Sequence, residues 1–263
     1  NNSWRTVIAR ILILDIETSP NVAYVWRFFK ENVGAKQVLE NGQILSYAAK
    51  WLDNGKVYYE DVSNQPEIDM MRSLFDLLDQ ADIVVAHNGD KFDLPHVQGR
   101  GLVLGLNPPS PYKTIDTVRV ARYEFNFPSN SLEYLAIVLG LKNRKDGHKK
   151  FPGFELWVGV LANNPEAWAE MKEYNIQDIL VLEELYLRMR PYMKRHPNIG
   201  VFEEQEVPVC PNCGSKHIQY RGYAHTNVSK FRRYVCNDCG TWARTRFNVL
   251  DIAVRKNLIV KAV

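Results

Sequence analysis

Four carboxylates stand in three separated segments of this chain: Asp15 and Glu17 in ILILDIETSP, Asp93 in AHNGDKFDLP, and Asp178 in YNIQD. Each lies in or beside an apolar run. An acid embedded in a core element is costly unless something positive neutralises it. Three such segments point to a shared partner, and a pair of hard divalent cations suits oxygen ligands. Side chains two apart on a strand face the same way. Asp15 and Glu17 therefore project together, in line with Ile11 and Ile13, and repel unless a cation bridges them. Further on, Met171, Tyr174, Asp178, Leu182 and Leu185 recur at spacings of three and four, the inward stripe of a helix. Tyr174 and Asp178 sit one turn apart and meet on one face. Asp93 follows Asn88-Gly89 and opens an expected helix, so it reads either as a helix N-cap or as a ligand. Asp90 reads as a turn residue and Asp116 as structural.

A second constellation lies near the end of the chain. Cys210 and Cys213, then Cys236 and Cys239, form two Cys-x-x-Cys-Gly knuckles separated by 22 residues. Four thiolates so spaced suit one tetrahedral Zn²⁺ in a structural ribbon. Disulfides are the alternative, which an intracellular setting disfavours. Among and after the knuckles, aromatic residues alternate with basic ones, including Arg232 and Arg233. That pattern suits unpaired nucleic acid, although some of the rings must build the ribbon's own core. A replication or repair protein is the other candidate partner for this module.

The elements that must position these groups follow from periodicity and punctuation. Strands are expected at Thr6 to Thr18, Ile44 to Trp51 and Lys56 to Val62, the last two joined by an Asp53-Asn54-Gly55 turn. A helix follows at Pro66 to Gln80, a buried strand at Asp82 to His87, and a helix from Asp93 to about Arg100. Tyr112 to Thr117 reads as a strand and Leu132 to Leu139 as a short helix. The long helix runs from Pro165 to Met189, with Asn164 as N-cap and Pro191 as its stop. This order gives an α/β domain with a mixed sheet.

The chain has 263 residues, 46% of them apolar, enough for one or two domains with a real core. No apolar run reaches the roughly 18 residues a membrane span needs. With no secretory signal either, a cytoplasmic setting without membrane attachment is expected. Charge is uneven: residues 207–263 carry +8 and residues 1–206 carry −5. An acidic body with a basic appendage suggests a catalytic unit joined to a polyanion-binding one. The expected organisation is a catalytic domain at 1–195, a polar linker at 196–206 and a zinc ribbon with a basic tail at 207–263. The loop from Lys142 to Lys150, including Arg144 and Lys145, reads either as a phosphate-contacting loop or as a solvated charge run.

The strings Asp15-Ile16-Glu17-Thr18, Asn88-Gly89-Asp90-Lys91-Phe92-Asp93-Leu94-Pro95 and Tyr174-Asn175-Ile176-Gln177-Asp178 resemble, in order, the three motifs of the DEDD exonuclease superfamily. Tyr rather than His four residues before the last Asp resembles the DEDDy branch. The second string resembles the proofreading domains of family B DNA polymerases, and the overall layout resembles stand-alone exonucleases encoded by phages. The resemblance spans roughly residues 8–190. It implies a ribonuclease H-like mixed sheet flanked by helices, and metal-dependent 3′→5′ exonuclease activity on DNA 3′ ends. It also implies two Mg²⁺ or Mn²⁺ ions, the first held by Asp15, Glu17 and Asp178, the second by Asp15 and Asp93. Tyr174 would orient the attacking water; a phenol, with a pKa of about 10, suits positioning better than proton abstraction. Thr18, Asn88 and Phe92 would contact the terminal nucleotide; apart from the resemblance, the basic loop with Lys145 and the ribbon's Arg232 and Arg233 are candidates for contacting the rest of the strand. An RNA exonuclease and a structure-specific endonuclease stay open on the same residues, as does a binding protein built on a vestigial nuclease fold. In the stretch Asn21 to Gly42, Tyr24, Trp26, Phe28 and Phe29 read either as a stacking surface or as a cover for the core.

Overall fold

The computed structural model describes residues 9–52, 54–144, 150–202 and 204–262. The chain divides into two compact units, one spanning Arg10–Tyr186 and one running from Leu187 onward.

The first unit opens with β1 (Ile11–Thr18), a small hairpin of β2 (Val22–Ala23) and β3 (Val38–Glu40), then β4 (Ile44–Trp51) and β5 (Val57–Asp61). Helix α1 (Glu67–Asp79), β6 (Ile83–Ala86), α2 (Asp93–Val103) and β7 (Lys113–Asp116) come next. Four helices complete it: α3 (Thr117–Glu124), α4 (Leu132–Val138), α5 (Glu155–Leu161) and α6 (Pro165–Met189). Five strands form one sheet in the order β5-β4-β1-β6-β7. β1 runs antiparallel to β4 and parallel to β6; β4 and β5 are antiparallel, β6 and β7 parallel. The sheet is mixed, as the order of elements requires, and the strand bearing Asp15 and Glu17 is its centre.

Alternation along β1 sorts its side chains between two layers. Leu12, Leu14 and Ile16 pack with Met70, Met71, Leu74 and Phe75 of α1 and with Leu94 and Val97 of α2. Asp15 and Glu17 therefore face the other layer. That layer is built by α5 and α6, whose Leu156, Val160, Ala167, Trp168 and Met171 cluster with Leu45 of β4. Burying an aliphatic or aromatic side chain of this kind contributes about 1.5–3 kcal/mol. One apolar face of β1 thus anchors the strand while the other presents the acids.

Most expected boundaries hold within a residue or two, and α6 has the expected bounds. Its start is capped as expected: the Glu166 N–H donates to Asn164 Oδ1 at 2.9 Å. Residues 6–8 of the first expected strand, and Asp53 of the expected turn, lie outside the described residues. Among the described strands and α-helices of the first unit, β2, β3, α3 and α5 were not expected from the sequence. Helix α3 starts where Asp116 Oδ1 accepts from the Val118 and Arg119 N–H groups, at 2.9 and 3.3 Å. Asp90, expected in a turn, pairs with Arg119.

The second unit carries a three-stranded antiparallel sheet of β8 (Ile218–His225), β9 (Lys230–Cys236) and β10 (Trp242–Arg244), ordered β10-β9-β8, then α7 (Ile252–Lys256). Within residues 196–206, Ile199 is buried and its N–H donates to the Pro211 carbonyl at 2.7 Å. Among the described residues no helix is long and apolar enough to cross a membrane.

Candidate active site

Strand β1 and helix α6 bring three of the four acids together. One carboxylate oxygen from each of Asp15, Glu17 and Asp178 lies within 4.8 Å of the others. Asp178 is buried, and the other two are half-buried. Three like charges at this range favour a bound cation, and an all-oxygen donor set suits a hard one.

The orientation of Asp15 is fixed by a residue whose part the sequence did not reveal. Asn175 is fully buried on α6, and its Nδ2 donates to Asp15 Oδ2 at 2.6 Å. Its Oδ1 accepts from the Ser46 hydroxyl at 3.1 Å. Ser46 is equally buried and lies across from Glu17 in the β1–β4 register. The signal was available in part: Asn175 and Asp178 are three apart on a helix, so they share the inward face. A second element supporting a ligand in this way usually tunes metal affinity by about 10–100-fold. Asn175→Leu is therefore expected to weaken Mn²⁺ binding by about that factor, read by titration calorimetry. Ser46→Ala should have a smaller effect in the same direction. Wild-type affinity in Asn175→Leu would show that the amide does not position Asp15.

Asp93 stands apart from that cluster. It is 2% exposed, and its Oδ1 accepts the Ile16 N–H at 3.2 Å. The N-cap reading is corrected: the capping position is Phe92, without a side-chain cap, and Asp93 is the first residue inside α2. Its carboxylate reaches across to β1 because the turn before it is tight. Asn88 adopts a left-handed φ of +67°. Gly89 passes so close to Ala86 that an added Cβ would sit 2.3 Å from the alanine Cβ. The Asn88 N–H donates to Asp116 Oδ1 at 3.0 Å. Burial pushes the Asp93 carboxyl up to about 7; its hydrogen bonds oppose this and the Asp116 charge adds to it. A cation nearby would restore the charged form.

Trp157 of α5 ties the remaining groups together. Its Nε1 donates to the Thr18 carbonyl at 3.1 Å, and its ring meets the Tyr174 ring edge-on, centroids 6.4 Å apart. Tyr174 lies one turn before Asp178 on α6. Thr18, Ser19, Pro20, Phe154 and Trp157 line an open cavity of about 330 Å³. Sequence reasoning did not single out Trp157 or Phe154, because a seven-residue helix is too short to show a period. Phe92 is half-exposed at the start of α2 and packs on His96, ring centroids 4.5 Å apart. Lys145 lies outside the described residues. Of the same expected loop, Lys142 and Asn143 donate backbone N–H groups to the Glu184 carboxylate.

In the second unit the four cysteine sulfurs lie within 4.8 Å of one another. Cys210 and Cys239, and Cys213 and Cys236, are each 3.6 Å apart. Four sulfurs around one zinc at about 2.3 Å would be separated by about 3.8 Å. Both knuckles close alike: the Gly214 N–H donates to the Cys210 carbonyl and the Gly240 N–H to the Cys236 carbonyl, each at 2.9 Å. On the adjoining sheet, the backbone bulges between Tyr220 and Tyr223, with Gly222 at φ +68°. The bulge turns both tyrosines to one face, opposite Tyr234 and Arg232. The Arg232 guanidinium lies 5.9 Å from the Tyr220 ring, and that of Arg233 5.0 Å from the Trp242 ring.

A family model described as the RNase_H superfamily matches residues 12–190. No curated protein matches the chain. Among solved structures, the family B DNA polymerase from the hyperthermophilic archaeon Pyrobaculum calidifontis matches at 16% identity with a TM-score of 0.47. The match covers 70% of this chain and 25% of the polymerase, so the chain spans about a quarter of that protein's length.

Proposed function

The chain belongs to the RNase H superfamily, and on that premise we propose that it is a metal-dependent 3′→5′ exonuclease of the DEDDy type acting on DNA ends. The observation that carries this reading is the convergence of Asp15, Glu17 and Asp178 within 4.8 Å, with Tyr174 one helical turn from Asp178. The DNA preference is supported by the Asn88-Gly89-x-x-Phe92-Asp93-x-Pro95 string, which resembles DNA proofreading domains.

The clustered carboxylates of Asp15, Glu17 and Asp178 fit a divalent ion, and the reading places a second beside it. Asp15, Glu17 and Asp178 would hold one, and Asp15 with Asp93 the other. The chemistry such ions supply is activation of water and neutralisation of charge on the scissile phosphate. The protein's own part is placement. Asn175 fixes one oxygen of Asp15, and the Ile16 N–H fixes one of Asp93. Tyr174, braced by Trp157, would orient the attacking water. Thr18, Asn88 and Phe92 would bind the terminal nucleotide. The four cysteines would hold one structural Zn²⁺, and Arg232 and Arg233, on opposite faces of that unit's sheet, would add affinity for the phosphate backbone.

The deciding assay is digestion of 5′-labelled single-stranded DNA and RNA in Mg²⁺ or Mn²⁺. Stepwise 3′ shortening of DNA is expected. Shortening of RNA alone would replace the substrate, and cutting of a circular strand would replace the exonuclease reading with an endonuclease one.

A further inference from the structure

The hairpin that follows β1 leaves four aromatic rings outside the protein. Tyr24, Trp26, Phe28 and Phe29 are 70%, 92%, 94% and 83% exposed. The sequence left open whether they cover the core, and they do not. Nor is the loop that carries them loosely tethered. The Glu31 carboxylate accepts the Arg27 N–H at 2.6 Å, and Gln37 Nε2 donates to the Tyr24 carbonyl at 3.0 Å and to Glu31 at 3.1 Å. Tyr24 in turn donates its N–H to the Gln37 carbonyl at 2.9 Å. Lys30 closes the turn at φ +57°. The loop's hydrogen bonds are internal, and the rings remain exposed.

We propose that residues 24–30 form a stacking arm for the unpaired bases of a DNA strand whose 3′ end occupies the acidic site. The inference rests on the exonuclease reading above. Three observations select this occupant. Arg27 and Lys30 are interspersed among the rings, and no acid lies between Tyr24 and Lys30. Rings accompanied by cations suit a single strand, which offers base faces to stack on and phosphates to neutralise. The arm is also continuous with the site. Glu17 is followed by Thr18, Ser19 and Pro20, which line the cavity shared with Phe154 and Trp157, and the hairpin begins two residues later. That cavity, about 330 Å³, is of the size of a small ligand pocket.

The test is the triple substitution Trp26→Ala, Phe28→Ala and Phe29→Ala. The rings are exposed, so the variant should fold as the wild type does. Each stacked ring lost weakens binding by about fivefold or more. The triple variant is expected to bind a fluorescent 20-nucleotide oligothymidylate, in Ca²⁺, at least about 100-fold more weakly by anisotropy. Its KM for that strand should rise by a similar factor in Mg²⁺. Hydrolysis of the p-nitrophenyl ester of thymidine 5′-monophosphate, too short to reach the arm, should be unchanged. Wild-type affinity and KM in the triple variant, alongside normal ester hydrolysis, would overturn the arm and leave the exonuclease reading intact. A wild-type chain that hydrolyses neither strand nor ester would overturn the exonuclease reading, and with it the arm's role in feeding the site.

Discussion

Asp15→Ala should lose at least about 10³-fold in kcat while the protein folds normally and still binds oligonucleotide. Asp15 is the acid on which the others depend. It sits on the central strand, between β4 and β6. It shares the 4.8 Å cluster with Glu17 and Asp178 and takes the 2.6 Å hydrogen bond from Asn175. In the proposed scheme it is also the one carboxylate common to both ions. Losing it removes a ligand from each, which no neighbouring side chain can replace. The thermal response should change with the opposite logic. Without divalent metal, deleting one of three crowded negative charges relieves repulsion but leaves the buried Asn175 amide without that acceptor, so the variant's Tm should stay close to that of the wild type. With Mn²⁺ at about 100 times its Kd, the wild type should gain about 2.7 kcal/mol from binding to the folded state alone. The variant should gain far less. Activity and metal stabilisation lost together would tie the acid to the metal. Activity lost with full metal stabilisation retained would mean that the ion binds elsewhere, and the scheme would fail.

Much of that site is legible in the chain because its elements are long or strongly patterned. The alternation of Leu12, Leu14 and Ile16 with Asp15 and Glu17 sets both the buried face of β1 and the face that meets α6. The long helix shows its stripe and its cap. Asn175 is harder to see. It reads as a spacer between Tyr174 and Asp178 until burial forces the question of what satisfies its amide. The answer, Ser46, lies 129 residues away. A serine in a largely apolar strand gives no sign of its partner, because cross-element pairing depends on register and not on local pattern. The β2–β3 hairpin is invisible for a related reason. Its strands have two and three residues, too few for periodicity, and side chains at Glu31 and Gln37 hold the loop between them. Asp93 shows the reverse case, in which the sequence offers a sound local role as a helix cap. A tertiary contact to Ile16 takes precedence, because a buried carboxylate must find a donor wherever one is available.

Cys236→Ser should unfold the ribbon and leave the catalytic unit working. Among the described residues, few side chains of this unit beyond α6 are buried: Met193, Ile199, Asn212, Phe231, Tyr234 and Thr241, besides Cys210 and Cys236 themselves. So small a core cannot offset the entropy of ordering three strands and two knuckles without a staple. A structural zinc would supply about 10–16 kcal/mol to such a module. Removing one of four thiolates leaves three ligands and an open position, so most of that term is forfeited. The expected signs are loss of one bound zinc per chain by elemental analysis and rapid tryptic cleavage at Arg221, Lys230, Arg232 and Arg233. Metal-dependent hydrolysis of the thymidine ester should persist, because the acids, Asn175 and Tyr174 all belong to the other unit. Binding to a long strand should weaken and lose part of its salt dependence, as fewer phosphates are neutralised. Unchanged affinity and salt slope, with the ribbon unfolded, would assign its basic face to a protein partner. Zinc loss without new tryptic sites would show that the strands hold together unaided, and the four cysteines would then need a role other than structure.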